Sequence, residues 1–382
     1  MRHAARVTMR YMSRFHAVYH LRCAAADVDA RAQALALEQS IEMPLAPVTN
    51  DYVREEIVAR VEGCAEIAAG VHAVTLSLAT ATAGGEIGQA MNMLFGNCSL
   101  QDDVTLVDVA LPDDFLAGFR GPRFGLQGMR ELVGAWARAM TMTALKPQGL
   151  PPAELAALCE TFARAGLDII KDDHGIANQA YSPFAARVAA CQAAVRRANA
   201  ATGGRSVYAP SLSGGPRQLR EQLRIVREEG VGMVLACPML MGLACFAELV
   251  DELPCPVLAH PALGGASRIA PPLLFGRLFR LLGADATIFP NYGGRFSYSR
   301  AICEALAHAG RAPWRDFRPC TPVPAGGMSV ERVAEMLEVY GRDVCLLIGG
   351  NLLAAGTELP ARSRAFVDAV RRLSSAQEEK SR

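Results

Sequence analysis

A chain of 382 residues with 51% hydrophobic side chains can bury a core large enough for two domains, or for one barrel carrying an extra module. Its net charge of +1, with both signs dispersed, argues against a nucleic-acid or anionic-membrane partner, and no apolar run reaches transmembrane length. The 11 cysteines stand singly with no C-x-x-C pair, which fits reduced thiols in a cytoplasmic protein better than a disulfide framework or a zinc site.

The first ten residues are basic and lack the apolar core of a secretion signal, and residues 1–13 read as either an overlong start or a disordered tail. Phe15 to Arg22 alternates Phe15, Ala17, Tyr19 and Leu21 against His16, Val18 and His20, the period of a strand. Asp27 to Ser40 predicts a helix, and Tyr52 to Gly70 is mixed. Val71 to Thr80 and Val104 to Ala110 predict strands. Gly84 to Leu94 predicts a helix that ends at Phe95-Gly96-Asn97. No regular repeat joins these elements, so residues 14–135 are read as an α+β domain.

From Met140 onward the pattern becomes regular. Short apolar runs occur at Met142 to Leu145, Leu167 to Ile170, Val207 to Pro210, Met233 to Ala236, Pro256 to Ala259, Ala286 to Phe289, Pro322 to Ala325 and Val344 to Ile348. Helix-like stretches such as Pro152 to Ala165 and Pro216 to Glu229 separate them. Eight such runs, mostly apolar, predict a (β/α)8 barrel over residues 136–372, with a doubly wound sheet as the competing arrangement. Residues 373–382 read as a polar tail.

Barrels do their chemistry just after the strands, so the residues at those points matter most. Strand one runs into Lys146-Pro147-Gln148-Gly149, and strand two into Lys171-Asp172-Asp173-His174. Strand five ends in His260-Pro261, and strand six in Pro290-Asn291-Tyr292-Gly293-Gly294-Arg295. Glycine pairs follow strands seven (Gly326, Gly327) and eight (Gly349, Gly350), where backbone N–H groups can approach an anion closely. Asp173 is a hard oxygen ligand suited to Mg2+, and His174 is a softer one. An ammonium cannot ligate a cation, so Lys171 could join such a site only if neutral or modified.

These motifs resemble those of the RuBisCO large-chain superfamily, and specifically its non-carboxylating RuBisCO-like (form IV) members. Leu145-Lys146-Pro147-Gln148-Gly149-Leu150 is similar to the family's strand-one motif, and Gly166 to His174 to its strand-two motif. Phe95-Gly96-Asn97, Phe119 to Gly125 and the two glycine pairs match further motifs, so the likeness runs from about Phe15 to Arg371. The resemblance implies that Lys171 reacts with carbon dioxide to give a carbamate, which with Asp173 and His174 would hold Mg2+. Glutamate is the family's usual third ligand; here His174 stands in its place, as a weaker ligand or as an acid/base. A proton-transfer role is implied for Lys146, and catalytic or substrate-proximal roles for His260, Asn97, Asn291 and Arg295. The stretch Leu37 to Glu42, with Glu38, resembles the acidic segment that reaches a partner's site, which implies a homodimer.

The departures are specific. Glu42-Met43-Pro44 stands where the family has a threonine-tryptophan phosphate motif. Pro261 replaces an arginine, Ile288 a histidine, and the loop after strand six lacks its lysine. One phosphate site is therefore expected to be kept and one lost. The expectation is enediolate chemistry on a monophosphorylated ketose without carbon dioxide fixation. Isomerisation of 5-methylthioribulose 1-phosphate in methionine salvage comes first, with Phe289, Tyr292 and Phe296 available to the methylthio tail. Enolisation of 2,3-diketo-5-methylthiopentyl 1-phosphate, decarboxylation of 3-oxo-isoapionate 4-phosphate, and an inactive sugar-phosphate-binding relative are the alternatives.

Overall fold

The computed structural model describes residues 13–380. Residues 1–12, most of the expected N-terminal tail, lie outside them. The chain divides into one unit running up to Phe119 together with Ala266–Leu273, and a second comprising Arg120–Gly265 and Leu274 onward. The division falls before the expected boundary at residue 135, because Leu126, Met129, Val133 and Ala135 belong to the same buried cluster as the barrel strands.

The first unit is built on an antiparallel sheet of four strands in the order Arg60–Ala68, Val71–Ala79, Arg14–Arg22, Val104–Ala110. The alternation in the sequence maps onto its faces. Phe15, Ala17, Tyr19 and Leu21 are fully buried, and the Tyr19 hydroxyl donates to the Leu94 carbonyl at 2.6 Å. Helices Val28–Glu38 and Ile87–Phe95 complete it. The segment Ala266–Leu273 joins this unit through reciprocal backbone bonds, Leu106 N–H to Arg268 C=O and Ala270 N–H to Leu106 C=O, each 2.9 Å.

The second unit is the α/β barrel. Its strands are Met140–Leu145, Ile169–Asp172, Val207–Ala209 with Ser211–Leu212, Val234–Ala236, Val257–Ala259, Ala286–Pro290, Thr321–Ala325 and Cys345–Leu347. All neighbouring strands that pair do so in parallel. Strand three is split at Pro210, which has no N–H to give. Its first half pairs with strand two and its second with strand four.

The ladder is also open between strands seven and eight. Thr321 N–H donates to Asp285 C=O and Asn291 N–H to Ala325 C=O, both at 2.8 Å, so the odd positions of strand seven face strand six. The even positions, Pro322 and Pro324, face strand eight without a donor.

Inward-facing Met140, Met142, Ile169, Ala209, Leu235, Leu258, Ile288, Val323 and Leu347 fill the barrel, which is a packed core. Two buried aspartates fasten its lower end. Asp168 accepts from Thr141 N–H (2.8 Å) and from both terminal nitrogens of Arg138 (2.6 Å each). Asp285 accepts from Phe124 N–H and Gly125 N–H (2.7 Å each) and from Val257 N–H (2.9 Å), tying helix Gly125–Val133 to the strands. The closing helix, Leu359–Lys380, runs through most of the expected polar tail. Phe366, Val367, Val370 and Ser374 form a buried stripe along it, and Ser374 Oγ accepts from Ala139 N–H.

Asp285→Ala is expected to lower unfolding free energy by about 3 kcal/mol or more, since three buried N–H groups lose their acceptor. Urea denaturation measures it; a loss under ~1 kcal/mol would show that the anchor is dispensable.

Candidate active site

Strand two sets the site. The strand extends one turn of the pleat further than its apolar run suggests, because Lys171 pairs with Ala144 and Ala209, and Asp172 with Leu145. Lys171 therefore lies within the strand and not after it. Alternation then points Ile169, Lys171 and Asp173 to one side and Asp172 to the other. Asp172 is fully buried behind the strand. It accepts from Arg187 Nε (3.0 Å), the Tyr208 hydroxyl (2.7 Å) and Ser211 N–H (3.0 Å). Arg187, from helix Phe184–Thr202, also donates to the carbonyls of Ser182 (2.8 Å) and Ala177 (2.7 Å), which fixes the loop after strand two.

On the cavity side Asp173 is the hub. Lys146 Nζ lies 2.8 Å from one carboxylate oxygen and His174 Nδ1 3.4 Å from the other. Burial opposes ionisation of Asp173, but the hydrogen bonds from His174 and Lys146 outweigh it and hold the carboxyl well below its usual range. Lys171 is 3% exposed, and its Nζ donates to the Asp172 carbonyl at 2.9 Å. Burial pushes its ammonium down to about 8; the Asp173 carboxylate resists and Lys146 adds to the fall.

His260 stacks on His174 with ring centroids 4.0 Å apart and planes 13° apart. Its Nδ1 accepts from Ala262 N–H at 3.1 Å, which assigns the proton of the neutral ring to Nε2. Burial, then the positive charge of Lys171, keep it neutral, far below the ordinary imidazole range.

A cavity of about 750 Å3 gathers Lys146, Lys171, Asp173, His174, His260 and Arg295 with Gly326, Gly327, Gly349 and Gly350. The two glycine pairs differ in kind. Gly327 has φ +67°, and a Cβ there would lie 2.3 Å from Gly294 Cα, so packing between the loops after strands six and seven already demands glycine. A Cβ on Gly350 would meet nothing within 4 Å, and one on Gly349 would make only ordinary contacts with Ala144 at 3.8 Å and Leu347 at 4.0 Å, so these two leave backbone open to a ligand. Apolar wall comes from Leu263, Phe275, Ile288, Phe289 and Phe296.

Some sequence-based expectations need correction. Asn291 is fully buried away from the cavity. Its amide faces Met328 and Met336 sulfur atoms, and its oxygen accepts from the Tyr340 hydroxyl at 2.6 Å. Tyr292 is not part of the wall, since its hydroxyl donates to Glu335 at 2.7 Å; Tyr298 lines the cavity instead. Glu38 and Asn97 lie in the first unit, where Asn97 Nδ2 donates to Glu38 at 2.9 Å. Asn351, which follows strand eight and Gly350 and receives no role from the sequence, also lines the cavity, with Nδ2 donating to the Met328 carbonyl at 2.5 Å. Phe275, from the irregular helix Pro272–Leu278, had no strand-end signal to betray it.

Among the described residues no group of three His, Cys, Asp or Glu side chains is placed to hold a metal ion. Asp173 and His174 supply two donors. The set fits a divalent cation only when Lys171 becomes an anionic carbamate and supplies the third.

Comparison with known proteins agrees with this layout. Residues 125–260 match the family described as ribulose bisphosphate carboxylase large chain, catalytic domain. The chain is 54% identical over 359 residues to ribulose bisphosphate carboxylase-like protein 1 of Rhodopseudomonas palustris, covering 94% of this chain and 98% of that one. It is 53% identical over 359 residues to a 5-methylthioribulose-1-phosphate isomerase of Rhodospirillum rubrum, covering 94% and 96%. Among solved structures, a Rubisco-like protein from Rhodopseudomonas palustris matches with a TM-score of 0.88 and 51% identity, covering 94% and 98% of the two chains.

Two measurements follow from this geometry. Asp172→Ala leaves Arg187 buried without its counter-charge and is expected to cost about 3–5 kcal/mol of stability in urea; an unchanged midpoint would refute the anchoring role. Because carbon dioxide reacts with the neutral amine, a Lys171 ammonium near 8 predicts that a 13C-bicarbonate carbamate signal grows as pH rises from about 7 to 9. That signal should vanish in Lys171→Ala, and its persistence there would exclude Lys171 as the carbamate.

Proposed function

We propose that this chain, which belongs to the RuBisCO-like proteins of the RuBisCO large-chain family, isomerises 5-methylthioribulose 1-phosphate by proton transfer and fixes no carbon dioxide. The observation that carries the reading is a single cavity combining the Lys146–Asp173–His174 cluster, open glycine backbone at Gly349 and Gly350, and an apolar wall. A ketose with one phosphate and one apolar end matches those three surfaces. The 53% identity to an isomerase of that name supports the choice of substrate.

In this reading the backbone at Gly349 and Gly350, with Gly326 and Gly327, receives the phosphate, and Arg295 adds positive charge at the wall. Phe289 and Phe296 border the space for the methylthio group. Lys146 as the neutral amine takes the proton from the hydroxyl-bearing carbon beside the ketone, and as the ammonium returns it to the former carbonyl carbon. The proton of that hydroxyl passes to the former carbonyl oxygen, so that the C=O moves by one carbon. Asp173 holds the Lys146 amine in place. His260, kept neutral, offers its Nε2–H to a substrate oxygen. Lys171 as a carbamate, Asp173 and His174 would hold Mg2+, which supplies positive charge where the substrate oxygens gain negative charge. Glu38 and Asn97 enter through a homodimer in which the N-terminal segment of one protomer completes the site of its partner.

Enolisation of 2,3-diketo-5-methylthiopentyl 1-phosphate is the neighbouring reading. It rests on a weaker likeness, 31% identity over 73% of this chain to an enolase of that name from Geobacillus thermodenitrificans. Proton NMR in deuterated water, with Mg2+ and bicarbonate, separates the two. The isomerase reading expects deuterium to enter 5-methylthioribulose 1-phosphate together with movement of its carbonyl. It also expects both to fall by at least about 100-fold in Lys146→Ala, the range of a lost acid/base group. No exchange with any ketose phosphate, despite measurable binding, would reduce the protein to a sugar-phosphate binder. Activity surviving in Lys171→Ala without bicarbonate would remove the carbamate from the mechanism.

A further inference from the structure

The turn after barrel strand five carries two unfavourable features that the fold itself does not require. It is closed by Gly264 N–H donating to Pro261 C=O at 2.9 Å, and its third residue, Leu263, has φ +65°. A turn with that conformation takes glycine or asparagine at this position, because a larger residue brings its Cβ against backbone carbonyl oxygen. Glycine stands one and two residues further on, at Gly264 and Gly265, yet leucine occupies the strained place. Its side chain is 56% exposed. Both features fall on the wall of the cavity, which Pro261, Ala262, Leu263 and Ile288 line with no charged or hydrogen-bonding side chain. Strain kept on the wall of a site points to a ligand that the strained residue meets. The same turn reaches the chemistry, since Ala262 N–H holds His260 Nδ1 at 3.1 Å.

We propose that Leu263 is a specificity-determining residue whose side chain covers the apolar, sulfur-bearing end of the substrate. It selects a methylthio-terminated sugar phosphate over one ending in a hydroxyl. The identity of that apolar group rests on the isomerase reading; the role of Leu263 in binding does not depend on turnover.

Three variants separate strain from contact. Leu263→Gly removes both, Leu263→Asn removes the strain and places a polar group there, and Leu263→Met keeps apolar reach. Affinities are measured by calorimetry with two ligands that cannot react, 5-methylthioribitol 1-phosphate and ribitol 1-phosphate, and melting temperatures confirm folding. The wild-type protein is expected to prefer the methylthio ligand by about tenfold or more. Leu263→Gly and Leu263→Asn lose that preference, melt no lower than wild type and bind ribitol 1-phosphate unchanged, while Leu263→Met retains the preference. An equal preference in wild type and Leu263→Gly, or none in wild type, overturns the proposal. A Leu263-dependent preference in a protein that exchanges no deuterium supports the proposal while removing the isomerase reading.

Discussion

The site depends on an ion pair that it does not contain. Asp172 and Arg187 are both fully buried behind strand two, with Tyr208 and Ser211 completing the carboxylate's hydrogen bonds. Because side chains alternate along a strand, holding Asp172 outward commits Lys171 and Asp173 to the cavity. A slip of one residue would bring Asp172 inward and leave Arg187 uncompensated among helices. Buried ion pairs add little net stability over apolar packing, and their better-attested use is to specify one arrangement. Here that arrangement is the one in which Lys171 and Asp173 face the same space as Lys146.

Once the register is set, the electrostatics follow from crowding. Lys146 and His174 contact one carboxylate, Asp173, and Lys171 and His260 feel its charge within the same partly buried space. The carboxylate is drawn strongly toward ionisation, while the deeper lysine and the deeper histidine are pushed toward neutrality. Such an imbalance suits a site that gains negative charge with its ligands, whether from a carbamate, a phosphate or a ketone that loses a proton. A neutral His260 with its proton on Nε2 can donate without adding to the positive charge.

Most of the architecture was legible in the sequence because barrel strands are short, apolar and regularly spaced. All eight runs became strands, with shifts of one or two residues at their ends. The errors have physical causes. Lys171 is polar and so closed the apolar run early, although backbone pairing with Ala144 and Ala209 carries the strand through it. Asn291 follows a strand as a ligand-binding residue would, but its side chain turns into the core toward Tyr340, and position along a chain does not encode that direction. The two glycine pairs look alike in sequence, yet Gly327 answers to a neighbouring loop and Gly350 to nothing in the chain. Leu263 left no mark, because a leucine between alanine and glycine does not announce a positive φ.

The missing ladder between strands seven and eight has a mechanical meaning. Elsewhere around the barrel, neighbouring strands are stitched by backbone hydrogen bonds, with strand three passing from one ladder to the next at Pro210. Pro322 and Pro324 leave a seam on the side where the two glycine turns emerge, Gly326–Gly327 on one lip and Gly349–Gly350 on the other. Sliding along that seam breaks no ladder bond; what spans it is side-chain packing and the Asn351 Nδ2 hydrogen bond to the Met328 carbonyl. The side of the cavity that carries Lys146, Lys171 and Asp173 is thus stitched by ladder bonds, whereas the two glycine turns are joined across the seam by the Asn351 side chain, and their spacing is set by that contact and by packing.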